Sequence, residues 1–133
     1  MTTIFSKIIA GEIPSTKIYE DNQCVAILDI YPNNKGHTLV IPKQEVETMI
    51  DCPDSLLQHL FTVAKKVAEK QLEALGCDGF NVTINNKPAA GQEIPHLHLH
   101  IIPRYEGDGH THGFGKASYA EGELETYGKK LRL

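Results

Sequence analysis

Residues His96-Leu97-His98-Leu99-His100-Ile101 alternate polar and apolar side chains without a break. Period-2 alternation is the pattern of an extended strand, whose side chains point to opposite faces in turn. A helix face would instead need apolar residues every three to four positions. The pattern predicts a strand over 96–103, with Leu97, Leu99 and Ile101 on a face that must be covered. His96, His98 and His100 then share the other face. Three imidazoles in a row contribute nothing to packing that valine or threonine would not do better, so that face asks for a chemical explanation.

The rest of the chain must supply the cover. Ile4, Phe5, Ile8 and Ile9 fall on one side of a short helix over 4–10, which Gly11 ends. Strands are predicted over 17–20 and 24–29, joined by the turn signal Asp21-Asn22, and over 37–42 and 80–85. Leu56, Leu60, Val63, Ala64, Val67, Leu72 and Leu75 keep a helical period over about five turns. Ser55 and Gln58 read as its capping box and Gly76 as its stop. Residues 31–36 and 86–93 are rich in turn formers. A weak helix is expected over 123–131, interrupted by Gly128. These elements give an α+β domain: a five-stranded antiparallel sheet, one long helix and a short N-terminal helix. One domain over 1–133 is expected, with its core in 4–104 and a tail over 105–133.

A chain of 133 residues with a net charge of -4 lacks the basic excess of a nucleic-acid binder. A few local donors suffice for one small anionic ligand whatever the overall sign. No run approaches the roughly 18–20 apolar residues of a membrane span, and the N-terminus does not read as a secretory signal; the cytoplasm is expected. Cys24, Cys52 and Cys77 fit no metal spacing and are expected as reduced, partly buried thiols. His59 reads as a plain surface residue, and His110 and His112 as solvated parts of a glycine-rich tail.

Residue types alone leave three readings of the histidine run: a metal site, a nucleophilic imidazole oriented by its neighbours, or a satisfied polar patch. Upstream, Gly91 permits close backbone approach to a ligand, and Gln92 can both donate and accept hydrogen bonds.

The stretch GQEIPHLHLHIIPR resembles the signature of the histidine triad superfamily. IFSKIIAGEIPSTKIYED, Leu28-Asp29-Ile30-Tyr31-Pro32 and 36–43 (GHTLVIPK) are similar, in order and spacing, to its Hint branch of nucleoside phosphoramidate hydrolases. The likeness runs from about residue 4 to residue 104. It implies that His98 is the nucleophile and forms a transient nucleotidyl-histidine at the α-phosphorus. It implies that His96 and His100 orient it and contact the phosphate, with His37 as a fourth histidine on a neighbouring strand. By the same likeness Asp29 bonds the ribose hydroxyls, and Asn85, with Asn86 as rival, lies on the phosphate-ribose side. Phe5, Ile8 and Ile27 would build the purine pocket, and Gln92 and Glu93 would flank the nucleotide. The implied ligand is a purine nucleotide of the AMP or GMP kind, with no cofactor. The implied assembly is a homodimer; Leu56, Leu57, Leu60 and Phe61 spread round the long helix and ask for two covers.

The likeness also carries departures. Some bacterial members bind a structural zinc partly through a CxxC, but those positions here are Thr3 and Ser6, so no structural zinc is expected. Glu93 stands where the Hint branch has a serine near the leaving group. Alternatives within reach are a dinucleoside polyphosphate hydrolase, a nucleotide-binding scaffold with incidental activity, and a metalloprotein using His96, His98 and His100.

Overall fold

A computed structural model describes residues 2–110 and 117–133; His112 lies outside them. Helix α1 (Ile4–Ile9) is followed by strands β1 (Lys17–Glu20), β2 (Cys24–Leu28) and β3 (Thr38–Pro42), the long helix α2 (Asp54–Leu75), β4 (Gly79–Ile84), β5 (Leu99–Arg104) and α3 (Glu123–Leu131). The strands form one antiparallel sheet in the order β1-β2-β3-β5-β4. The expected α+β architecture is therefore present. Among the described residues no helix is long and apolar enough to cross a membrane.

Local chemistry places the elements. Thr3 caps α1: its hydroxyl accepts the Ser6 N–H, and the Ser6 hydroxyl accepts the Thr3 N–H. The capping box expected at Ser55 and Gln58 does not form. Helix α2 begins at Asp54 behind Pro53, without a side-chain cap, and the Asp54 carboxylate faces the positive end of the helix dipole instead. Gly76 ends the helix at φ 62°, a conformation that costs a side chain but not glycine.

Strands β2 and β3 are buried on both faces. Cys24, Ala26, Leu28 and Val40 point to the side covered by α2 and meet Leu56, Leu60, Val63 and Val67. Val25, Ile27, Leu39 and Ile41 point the other way, to Phe5 and Ile8 of α1. A fully buried leucine such as Leu60 contributes roughly 1.5–3 kcal/mol. Because α1 has only six residues, it roofs part of its face of the sheet, and a cleft opens beside it.

Four further expectations need correction. Strand β5 starts at Leu99, three residues later than predicted. Beyond it the pairing with β3 stops, Leu97 N–H turns to the carbonyl of Val46, and the His96 ring bonds the carbonyl of Pro42. His59 is not a plain surface residue: its Nε2 lies 2.6 Å from Asp21 Oδ2, tying α2 to the β1–β2 turn. His110 is held rather than solvated, its ring Nε2 3.1 Å from Asn34 Oδ1 and its carbonyl accepting from Arg104. Finally, described residues after Arg104 pack onto the rest of the chain rather than forming a separate tail. Asp108 accepts both Arg104 Nε and Nη2, and Leu131 of α3 is fully buried in the main core. Gly128, expected to interrupt α3, is what lets it dock: a Cβ there would lie 2.5 Å from Thr16 Cγ2. Cys24, Cys52 and Cys77 are all buried free thiols, and burial pushes that of Cys24 up to about 12.

Candidate functional site

The cleft beside α1 measures about 430 Å³, within the range of small-ligand sites. Its apolar wall carries Phe5, Ile8 and Ile27, joined by Leu39 and Ile94. Its polar side carries Asp29, His37, Asn85, Glu93, His98 and His100. Of the residues singled out from the sequence, His96, Gln92 and the rival Asn86 do not line it. His96 is fully buried behind the site, and Gln92 is buried under a loop.

The hydrogen bonds around the four imidazoles fix which ring nitrogen carries the proton. A carbonyl can only accept, so His96 Nε2–H donates to Pro42 O at 2.8 Å. Its Nδ1 then accepts from the Thr3 hydroxyl at 3.0 Å. By the same rule His98 Nδ1–H donates to the His96 carbonyl at 2.7 Å. That leaves a lone pair on His98 Nε2. On the other side, the Asn33 backbone N–H donates to His37 Nδ1 at 3.1 Å. His37 must then carry its proton on Nε2, which faces His100 Nδ1 at 2.9 Å. His100 Nδ1 accepts, and its proton sits on Nε2. The pair of rings at the cleft is thus differentiated: His98 presents an acceptor and His100 a donor.

Burial enforces neutrality. Desolvation lowers the pKa of His96 and of His98, in the latter against its bond to the His96 carbonyl. His100 is pushed down to about 4, by burial first and then by its neighbour His98. The rings are tilted against each other at 59°, with the His98 and His100 centroids 4.8 Å apart. Phe5 meets His98 edge-on at 4.9 Å and His96 at 5.8 Å, so α1 clamps the histidines as well as walling the cleft.

The remaining polar residues divide by position. Asp29 Oδ1 accepts the Tyr31 N–H at 2.9 Å, and Oδ2 lies 3.8 Å from His37 Nε2. Asn85 lines the cleft, whereas Asn86 turns away and accepts the Met49 N–H at 2.9 Å. The loop between β4 and β5 carries strain at Lys87, whose φ of 76° and ψ of 154° suit glycine. Gln92 holds it there: its Oε1 accepts the Lys87 N–H and its Nε2 donates to Glu47 O, both at 2.7 Å. Gln92 is therefore a brace for the loop rather than part of the cleft wall. Gly91 beside it takes φ 93°, open to glycine.

Two groups bring three metal-ligating residues together among the described residues: Asp21, Cys24 and His59, and Asp29, His37 and His100. In both, the donors already face each other across hydrogen bonds. Asp21 accepts the Tyr19 hydroxyl, His59 and two backbone N–H groups. His37 is spent on His100 and Asn33. A third cluster gathers at the start of α1, where Ser6 donates to Glu45 and Thr3 bonds His96. Structural zinc takes thiolates, imidazoles and carboxylates. Here two positions are hydroxyls and both His96 nitrogens are engaged, so this cluster does not fit zinc.

Sequence reasoning missed Leu39, Ile94 and Asn33. Leu39 was within reach, since it shares the His37 face by period 2. Asn33 acts through its backbone N–H from inside a turn-rich loop, and no residue-type signal marks that.

A family model described as HIT domain matches residues 10–107. An uncharacterized HIT-like protein of Methanocaldococcus jannaschii is 52% identical over 113 residues, covering 85% of this chain and 87% of the relative. The Arabidopsis thaliana protein named adenylylsulfatase HINT3 is 44% identical, over 79% of this chain and 53% of its own length. The Saccharomyces cerevisiae protein named adenosine 5'-monophosphoramidase HNT1 is 43% identical, over 76% and 61%. Among solved structures, a zinc-bound histidine triad family protein from Mycobacterium smegmatis superposes with a TM-score of 0.87 at 36% identity, over 99% of this chain and 91% of that one.

Proposed function

The chain belongs to the HIT domain family, and on that premise we propose that it is a hydrolase of purine nucleoside phosphoramidates acting through a nucleotidyl-His98 intermediate. The observation that carries this reading is the His98 Nδ1 bond to the His96 carbonyl. It leaves the Nε2 lone pair in the cleft, on a ring that burial keeps neutral. An imidazole in that state is a nucleophile at neutral pH.

In the proposed reaction the purine lies against Phe5, Ile8 and Ile27, and Asp29 takes the ribose hydroxyls. Asn85 and the His100 Nε2–H hold phosphoryl oxygens. His98 Nε2 forms a bond to the α-phosphorus as the P–N bond breaks, and the amine nitrogen departs with a proton taken from solvent. Water then cleaves the P–N bond to His98, releasing the nucleoside monophosphate and restoring the ring. His96 contributes through its main chain, by setting the His98 tautomer, while its ring anchors the segment to Pro42 and Thr3. His37 is a positioning residue that sets His100. The yeast relative's name favours the phosphoramidate reading.

Replacing His98 by alanine tests the reading. Turnover of adenosine 5'-phosphoramidate should drop at least about 10³-fold, and a rapid quench of the unmodified enzyme should trap a nucleotide on His98. Undiminished turnover in the variant would overturn it. A nucleotide-binding scaffold would show AMP binding and no turnover of any substrate.

A further inference from the structure

The charges round the cleft are one-sided. Its lining holds two carboxylates, Asp29 and Glu93, and three imidazoles. Of the 13 lysines and arginines in the chain, none lines it among the described residues. One phosphoryl group can be held there by imidazole and amide N–H donors. A second phosphate would meet no cation.

Glu93 is one of the two carboxylates of that lining. It belongs to the segment that leads into His98, and its charge is felt at the His98 ring. It is exposed, and among the described residues no hydrogen bond or ion pair engages its carboxylate. Yet its backbone is not loose. Gln92 next to it is pinned at both ends of its amide, to Lys87 N and Glu47 O. The nearest cation of that loop, Lys87, is turned to Glu47 at 3.1 Å. The backbone that carries Glu93 is thus held, and its carboxylate is exposed at the cleft with no cation paired to it among the described residues.

We infer that Glu93 is the residue that selects the leaving group by charge, favouring amines that carry a further positive charge and rejecting phosphate and sulfate. The inference rests on the nucleotide reading of the cleft and deepens it. It also separates the two kinds of leaving group that the names of the yeast and Arabidopsis relatives imply, ammonia and sulfate. Two unit charges several ångströms apart, in a medium between protein and water, change an equilibrium by about five- to tenfold.

Calorimetry with AMP and ADP tests this without requiring turnover, since the β-phosphate of ADP stands where an anionic leaving group would. Wild type should bind AMP more tightly than ADP. The ratio of the two dissociation constants should shrink about fivefold in Glu93→Gln and further in Glu93→Lys, and 0.5 M salt should compress it in wild type. In parallel, the kcat/KM of an N-(2-aminoethyl) phosphoramidate relative to that of adenylyl sulfate should fall in the same order. An ADP-to-AMP ratio equal in all three proteins would overturn the selection by Glu93 while leaving the nucleotide cleft standing. Failure of wild type to bind AMP would overturn the nucleotide reading and this inference with it.

Discussion

His37 Nε2 lies 2.9 Å from His100 Nδ1, although 63 residues separate the two in sequence. The contact is possible because β3 and β5 are neighbours, with Thr38 opposite Ile101 and Leu39 opposite His100. Since His37 Nδ1 is already taken by the Asn33 N–H, the bond has one direction. It makes His100 a donor towards the cleft.

Replacing His37 by phenylalanine removes that direction. His100 can then expose either nitrogen, and a correctly placed donor is present only part of the time. The expected result is a fall in kcat of about 10- to 100-fold, with a smaller change in KM. Thermal unfolding should also report a loss of about 1 kcal/mol, because the part-buried hydrogen bond from the Asn33 N–H to the ring is removed. A kcat equal to wild type would remove His37 from the positioning role.

The buried imidazoles set a pH dependence of stability whose sign follows from their shifts. His96, His98 and His100 have lowered pKa values in the fold, His100 about 4, against about 6.5 in an unfolded chain. Between those values the unfolded chain binds more protons. Stability from this source is therefore complete above pH 6.5 and lost as pH falls towards 4. His100 alone accounts for a loss on the order of 2 kcal/mol over that window. The carboxylates of Glu20 and Asp21, held down by their own partners, stay ionised through most of it. Urea midpoints should fall between pH 7 and pH 4.5; a midpoint that rises or stays level contradicts the neutral-ring assignment.

A homodimer is proposed through β4. This strand is one of the two edges of the sheet, and Phe80 and Val82 stand exposed along it at 43% and 38%. An unpaired edge flanked by apolar side chains is a template for a second strand. Helix α2 supports the assembly less than its sequence implied. Leu56 and Leu60 are spent on the sheet and Leu57 packs at its margin, leaving Phe61 exposed. Sedimentation should give twice the 14.7 kDa chain mass, and Val82→Lys should shift it towards one chain. A wild-type monomer at tens of micromolar would exclude the dimer.

The sequence by itself determined the elements and their facing. Alternation in 96–101 and the helical period of α2 are local properties, and binary patterning decides which side is buried before any partner is known. That His98 and His100 share one face was legible on the same basis; their roles, and Asp29 altogether, came from the four ordered blocks of family likeness. Tertiary structure decided what pairing and burial decide. It sent His96 behind the site and made its carbonyl, not its ring, the part that acts on His98. It turned Gln92 into a brace and separated Asn85 from Asn86. It made His59 a tie to Asp21 and brought Leu131 into the core. Each of these depends on which carbonyl or N–H stands a few ångströms from a side chain, and groups far apart in sequence meet only once the sheet has closed. Residue type limits what a histidine can do; the backbone packed around it chooses which nitrogen does it.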